Sequence, residues 1–340
     1  MQAQLARVAA GMDLSPEDAA SAMEEIASGS VTDAQMGAFL AALKLKGETA
    51  EEIAAFGDVL RRHACMIAPR VMGTLVDTCG TGGDGARTFN ISTAAALVAA
   101  GAGVPVVKHG NRRVSSACGS ADVLEALGVR VDLLPDDVTS MVEEIGIGFL
   151  FAPRFHPALL HAARVRRDLG FSTVFNLLGP LLNPAGAQAR LCGVYSPALI
   201  QRVAEALRAL GAERAMVVHG DGLDEITVSG STFVGELSQG RIRQYSLAPE
   251  RFGIARAPRS ALAGKGPEEN AAIIRGVLSG EEGPARDVVV MNAGAAIYLG
   301  GVADTLSGGM FKAVEAIDSG AAQRKLQVLA TRSGGSHDPR

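Results

Sequence analysis

Thr74-Leu-Val-Asp-Thr-Cys-Gly-Thr-Gly-Gly-Asp-Gly85, completed by Asn90-Ile-Ser-Thr93 and an alanine-rich run to Ala100, is the stretch whose reading decides the fold. Thr74 to Thr78 is short and β-prone, and Ser92 to Ala100 reads as a helix, so the glycines lie in a strand-to-helix loop. Four glycines between Gly80 and Gly85 let the backbone come close to an anion and aim several N–H groups at it. Ser92 or Thr93 is then expected to cap the helix, whose positive end adds to the attraction. No lysine precedes Ser92, so this is not a Walker A loop, and the spacing is not that of a dinucleotide fingerprint. Taken alone, the string also describes a tight turn that binds nothing.

Outward from this loop, strands and helices alternate. Val104–Val107 reads as a buried strand, Ser120–Leu127 as a helix closed by Gly128, and Val129–Leu133 as a strand. Pro135–Ile145 is helical and Ile147–Phe151 β-prone. Residues 154–186 interrupt the order with a helical His156–Asp168 and a turn-rich Phe175–Asn183. Alternation resumes with Leu191–Tyr195, a helix over Pro197–Leu210 and the strand Ala215–His219. Phe233–Leu237 and Ile242–Tyr245 look like an antiparallel pair, three helices follow from Glu268, and Ser333–Arg340 reads as a mobile tail. Such alternation predicts a mostly parallel sheet flanked by helices on both faces.

Before Thr74 there is no strand signal. Ser15-Pro16-Glu17-Asp18 carries an N-cap serine, proline at the first helical position and acids in the first turn. Thr32-Asp33 opens a second helix, with Met36, Phe39, Leu40 and Leu43 on one face. Thr49 and Glu52 open a third in capping-box form, running to about Ala64. The fold class is therefore α/β with an all-α part. A small helical bundle occupies 1–73, a large α/β domain 74–153 and 187–332, and a tail 333–340.

The chain has 340 residues, 48% of them hydrophobic, and a net charge of −4. That charge gives no reason to bind nucleic acid or an anionic membrane, so any anion must be held by a local cluster. The longest apolar run, Ala94–Val107, is shorter than the roughly 20 residues of a bilayer span and is broken by Gly101, Gly103 and Pro105. Cys65, Cys79, Cys118 and Cys192 are far apart, which suits a reducing, cytoplasmic setting better than disulfides or zinc.

Three further clusters carry chemistry. Lys108-His-Gly-Asn-Arg-Arg-Val-Ser-Ser116 is placed after a buried strand, where α/β sheets hold ligands, and before a helix capped by Ser120 with Asp122 in its first turn. Its three cations, serines and asparagine suit a pyrophosphate. Asp224-Glu225 in His219-Gly-Asp-Gly-Leu-Asp-Glu-Ile226 suits a hard cation such as Mg²⁺, with Asp221 a competing ligand. Arg164-Val-Arg166-Arg167 offers a clamp for a carboxylate, or simply a solvated helix face. His156 and His161 have the wrong spacing for a shared metal, which leaves His109 as the one histidine in a plausible cleft. Cys79 and Cys118 have no evident base and read as packing residues.

Together these segments resemble the anthranilate phosphoribosyltransferase family. The resemblance is carried by Gly37–Thr49, the Asp77–Asp84 loop, Asn90–Thr93, and Lys108–Ser116 running on through Gly119–Gly128. It continues in Phe175–Pro184, Gly222–Ile226, Glu269-Asn270-Ala271 and Asn292–Ala296. It implies that helices of 154–186 join the N-terminal bundle, that the chain is a homodimer through its helical part, and that the substrates are phosphoribosyl pyrophosphate and anthranilate with Mg²⁺, two ions. It further implies that Gly80, Gly83, Asp84, Thr88, Asn90, Ile91, Ser92, Thr93, Lys108, His109, Gly110, Asn111, Arg112, Arg113, Val114, Ser115, Ser116 and Ser120 surround the phosphoribosyl pyrophosphate. Ser92, Asp224 and Glu225 would hold metal, and Gly80, Asn111 and Arg166 would contact anthranilate. Arg113 and Ala117 depart from the residues usual in relatives. No acid or base is nominated, because an arylamine proton becomes acidic only as the new bond forms. A pyrimidine nucleoside phosphorylase is the nearest enzyme rival, disfavoured by His109-Gly-Asn111. A nucleic-acid-binding relative of the same fold is disfavoured by the net charge.

Overall fold

The computed structural model describes residues 1–112 and 118–334. Four helices precede any strand: α1 (Gln2–Ala9), α2 (Pro16–Ala27), α3 (Asp33–Lys46) and α4 (Ala50–Arg62). The expected start signals hold in atomic detail. The Ser15 hydroxyl accepts the Asp18 N–H, and Thr32 with Gln35 and Thr49 with Glu52 form reciprocal capping boxes. Glu52 does more than cap. Fully buried, it accepts from the N–H groups of Leu14 and Thr49 and from Lys46 Nζ, at 2.8, 2.9 and 2.8 Å.

The chain then builds the sheet: β1 (Val76–Thr78), α5 (Ile91–Gly101), β2 (Val106–Gly110), α6 (Ser120–Ala126), α7 (Pro135–Ile145) and β3 (Ile147–Phe151). An inserted stretch carries α8 (Ala152–Phe155), α9 (Leu160–Leu169) and α10 (Val174–Leu178). It is followed by β4 (Ala189–Gly193), α11 (Ile200–Ala209), β5 (Arg214–Gly220), β6 (Thr232–Ser238) and β7 (Arg241–Leu247). Four helices close the chain: α12 (Pro267–Leu278), α13 (Pro284–Leu299), α14 (Leu306–Asp318) and α15 (Ala321–Arg332). The strand order is β3-β2-β1-β4-β5-β6-β7, with the first five strands parallel and the last two antiparallel. The order reverses at β1, which leaves a crevice at the carboxyl ends of the central strands.

The sheet separates two apolar cores, and the alternation of side chains along each strand decides which core each residue joins. In β5, Met216 and Val218 pack with α5, α13 and α15, whereas Ala215 and Val217 face the other way. The second core gathers Met23, Phe39 and Phe56 from the N-terminal helices, Val165 to Leu182 from the insertion, and Val203 and Leu207 of α11.

Four expectations are corrected. Val129–Leu133 alternates between buried and exposed, as a strand would, but pairs with no strand among the described residues. The Arg130 N–H donates instead to Ser333 Oγ. Ser333 is thereby buried, so the tail does not begin there; residues 335–340 lie outside the described residues. Four helices, not three, follow Glu268, because Pro284 starts a new one after the turn at Gly280–Gly283. Finally, β2 runs on to Gly110, so Lys108 and His109 are strand residues and not part of a loop beyond it.

Glu52→Ala should destabilise the fold by about 3 kcal/mol or more, because it leaves Leu14 and Thr49 N–H groups buried without an acceptor and takes the buried partner from Lys46. Thr49→Ala, which removes one cap, should cost only about 1 kcal/mol. Urea unfolding midpoints compare the two, and equal losses would contradict this role for Glu52.

Candidate active site

Side chains from five separate stretches converge where β1, β2, β4 and β5 end. Gly80, Gly83, Asp84, Thr88, Asn90, Ile91, Ser92, Thr93, Lys108, His109, Gly110, Asn111, Arg112, Ser120, Arg166, Asp224 and Glu225 all line one cleft of about 290 Å³. Arg113, Val114, Ser115, Ser116 and Ala117 lie outside the described residues. Two larger grooves contain none of these residues: one of about 680 Å³ between Arg251–Ile254 and α13–α14, and one of about 710 Å³ between β7 and the α13–α14 turn.

The loop after β5 delivers Asp224 and Glu225 into the cleft floor. Asp224 accepts the Gly82 N–H at 2.7 Å, and Glu225 accepts the Ser92 N–H at 3.1 Å. Two N–H groups that the sequence aims at a bound anion are thus taken by the protein's own carboxylates. The close approach explains two glycines. A Cβ at Gly80 would stand 2.4 Å from Asp224 Oδ2, and one at Gly193 would stand 1.6 Å from the Asp224 carbonyl oxygen. Burial first, then the neighbouring Asp84, raises the Asp224 pKa to about 7; burial and then Asp224 raise Glu225 to about 8. The cation facing them is Lys108, whose ammonium donates to the Thr78 carbonyl at 2.5 Å and to Ser92 Oγ at 3.2 Å.

Half-buried carboxylates beside a serine hydroxyl are a hard-oxygen donor set. No three histidine, cysteine, aspartate or glutamate side chains converge as a ready-made cage among the described residues. Mg²⁺ does not require one, since it is commonly held by one or two carboxylates, with waters and substrate phosphates completing its shell. The residues present therefore fit Mg²⁺.

The opposite wall comes from the insertion. Arg166 on α9 is largely buried, lies 5.3 Å over the Phe175 ring, and has no carboxylate partner among the described residues. Burial alone lowers its pKa. Arg164 and Arg167 are exposed, as the solvated reading of that helix expected. Behind this wall the His109 and His156 rings meet edge to face at 4.9 Å, with His109 Nδ1 bonded to the Gly179 carbonyl at 3.2 Å. Burial depresses both, His109 to about 4 and His156 to about 3, so both are neutral near pH 7.

Several expectations change. Asn90 is the N-cap residue of α5, with Ser92 and Thr93 inside its first turn. Gly119 caps α6, where Asp122 accepts its N–H at 2.9 Å, so Ser120 is the first helical residue. Asp221 lies off the cleft, bonded to Ser229 Oγ. The Arg112 guanidinium pairs with Glu125 and lies 5.5 Å over the Phe151 ring, so its charge is already engaged. Burial pushes Cys79 up to about 12 and Cys118 to about 11, which supports inert thiols. His109 is joined by His156, which spacing from His161 could not reveal.

Sequence reasoning also missed the supports. Asn292, a lone amide in the apolar run of α13, accepts the Ile226 N–H and donates to the Ile226 carbonyl, which fixes the turn bearing Asp224-Glu225. Asn270 donates to Asn90 Oδ1 and steadies the start of α5. A buried asparagine in a hydrophobic helix was the available signal for both.

Residues 2–64 match the family described as "Glycosyl transferase family, helical bundle domain", and residues 72–323 match "Glycosyl transferase family, a/b domain". The fold and cleft thus define a two-part glycosyl transferase. Within that class, an anthranilate phosphoribosyltransferase from Methanocorpusculum labreanum is 56% identical over 332 residues, 98% of either chain. The crystal structure of the Thermus thermophilus enzyme of that name is 46% identical, with TM-score 0.92 over 97% of this chain and 99% of that one. The Saccharomyces cerevisiae enzyme, in complex with phosphoribosyl pyrophosphate and magnesium, is 32% identical with TM-score 0.87 over 94% of each chain. The chain belongs to the anthranilate phosphoribosyltransferase family.

The histidine pair makes stability pH-dependent. A histidine whose folded pKa is depressed contributes fully above about pH 6.5, where both states are neutral. That contribution is lost as the pH falls toward the folded value, because only the unfolded chain takes up the proton. Between pH 6.5 and 4 the stability difference between wild type and His156→Phe should shift by about 1.4 kcal/mol per pH unit, against wild type as the solution becomes more acid. Urea unfolding at pH 7, 6 and 5 measures it; a pH-independent difference would contradict a buried neutral His156.

Proposed function

We infer that the protein transfers the 5-phosphoribosyl group of phosphoribosyl pyrophosphate to the amine of anthranilate, giving N-(5-phosphoribosyl)anthranilate and pyrophosphate. What carries this reading is a single cleft with a phosphate-suited wall of glycines, Lys108 and half-buried carboxylates facing an acceptor-suited wall. There, Arg166 and Phe175 offer an aromatic face and a guanidinium with no carboxylate partner among the described residues. Phosphoribosyl pyrophosphate belongs against Gly80, Gly83, Asp84, Thr88, Asn90–Thr93, Lys108–Asn111 and Ser120, with the Arg112 guanidinium beside them held by Glu125. Anthranilate belongs against Gly80, Asn111 and Arg166, whose fork suits its carboxylate.

Loss of pyrophosphate from C1 leaves an electron-poor, oxocarbenium-like ribose, as in glycoside cleavage. Asp224, Glu225 and Ser92 hold Mg²⁺, two ions in this reading, which when bound neutralises charge on the departing diphosphate. Lys108 is already fixed by Thr78 and Ser92, so its charge meets the leaving group without reorganisation. His109 is neutral and its Nδ1–H is committed to Gly179, so no imidazolium charge stands behind the acceptor wall. Orientation by Arg166 supplies the remaining advantage. A cytoplasmic homodimer formed through the helical part belongs to the same reading. It draws on Leu45 of α3, 89% exposed on that part of the chain, and sedimentation at micromolar concentration should give twice the chain mass.

The direct assay is loss of anthranilate fluorescence on adding phosphoribosyl pyrophosphate and Mg²⁺, with each omitted in turn; loss is expected only in the complete mixture. Arg166→Ala should raise the KM for anthranilate by about 100-fold or more, the weight of a charged hydrogen-bonded pair, and leave that for phosphoribosyl pyrophosphate within about threefold. Equal losses for both substrates would contradict its assignment. Replacing Asp224 and Glu225 together by alanine should remove Mg²⁺-stimulated turnover, and normal Mg²⁺-dependent rates in that variant would show the metal to be held elsewhere.

A further inference from the structure

The two walls of the cleft come from distant parts of the chain, yet a transfer between two bound substrates needs them at one fixed separation. Below the cleft lies a carboxylate that the reaction scheme does not use. Asp77, the middle residue of β1, is 1% exposed. Its Oδ1 accepts the backbone N–H of His109 at 3.2 Å, and its Oδ2 accepts Asn183 Nδ2 at 2.8 Å and Arg190 Nη1 at 3.4 Å. The Asn183 amide also donates to the Val107 carbonyl at 2.9 Å, while its Oδ1 accepts the Ala185 N–H at 2.9 Å. One carboxylate therefore joins β1, β2, β4 and the return leg of the insertion, three residues beyond Pro180 of the acceptor wall.

The position of this junction matters. The β1–β2 ladder registers only at Val76↔Val106, and β2 then continues to Gly110 along β3. Where the two strands part, the Asp77 side chain takes the His109 N–H that a backbone carbonyl would otherwise accept. Lys108 and His109 sit at that split, one turned to each wall.

Stability alone gives little reason for the arrangement. Burying an ion pair costs several kcal/mol per charge, and apolar residues of like volume are often as stable or more so. The Arg190 Nε finds no partner among the described residues, so the pair is not even fully satisfied there. What a carboxylate provides, and an apolar side chain does not, is three directed acceptor contacts to three elements at once. We propose that Asp77 is a positioning residue: with Asn183 and Arg190 it sets the separation between the phosphate wall and the acceptor wall.

This inference rests on the two-substrate reading above, and its test separates the two. Initial rates at varied phosphoribosyl pyrophosphate and anthranilate, and calorimetric binding of each alone, are compared for wild type, Asp77→Asn, Asn183→Ser and the exchanged pair Asp77→Asn/Asn183→Asp. Activity is taken per folded site. Both single variants should lose about 10- to 100-fold in kcat, the scale of a misplacement near 1 Å, with each substrate's own affinity within about threefold of wild type. The exchanged pair keeps an amide–carboxylate contact but sets the new carboxylate against the Val107 carbonyl and leaves Arg190 facing an amide, so it should stay at least as impaired in kcat as either single variant. Asn183→Ser leaves the Asp77–Arg190 pair intact, so it carries the test if Asp77→Asn does not fold. Wild-type kcat in the single variants, or losses confined to affinity or folded fraction, would overturn the proposal. A wild type without turnover overturns the functional reading, and this inference with it.

Discussion

Two adjacent carboxylates half-buried in the cleft floor, Asp224 and Glu225, are the constraint around which the rest of the site is arranged. A buried carboxylate is tolerated only when it is hydrogen-bonded, paired or metal-bound. Here the backbone N–H groups of Gly82 and Ser92 supply part of that compensation, and the loop at 80–92 is folded over the acidic turn as a result. Gly80 and Gly193 lack side chains where one would strike Asp224. Asn292 holds the backbone at Ile226, and Lys108 supplies positive charge close by. The glycine-rich loop is thus a seat for carboxylates as well as an anion cradle. In the proposed reading, the carboxylate charge left uncompensated is what a divalent cation would satisfy, and that cation would in turn hold the diphosphate.

The acceptor wall follows a different logic. It is poor in charge, with a guanidinium over an aromatic ring and two neutral histidines behind it. A low-polarity wall strengthens the single charged contact it offers, which in the proposed reading is that of Arg166 with the acceptor's carboxylate. The parallel sheet brings the two environments together, because every strand that ends here points the same way.

Local signals in the sequence carried far. Ser15, Thr32 and Thr49 each mark a helix start through chemistry confined to three residues, and each forms the bonds that chemistry implies. The nominated site residues that are described share one cleft, because strand ends bring glycine, lysine and acid motifs together wherever the sheet is parallel. What stayed illegible depended on partners distant in sequence. Val129–Leu133 has the alternation of a strand, but a strand also needs a neighbour, and Ser333 takes its N–H instead. Arg112 has the composition of a phosphate ligand, yet Glu125 on the next helix claims it. Asp221 and Asp224 are indistinguishable in a string, and only the turn's geometry sends one to Ser229 and the other to the cleft. Asp77 reads as an ordinary strand-end acid until Asn183 and Arg190 close on it.

The central claim is that diphosphate and metal meet at the Asp224-Glu225 turn, facing Lys108. Crystals soaked with phosphoribosyl pyrophosphate and Mn²⁺ in place of Mg²⁺ test it most directly, since manganese is located by its anomalous scattering. The expected result is a manganese peak against Asp224 and Glu225, with the diphosphate beside Lys108 and the ribose C1 turned toward Arg166 and Phe175. A manganese peak away from both carboxylates, or a diphosphate seated on the Arg166 wall, would contradict it.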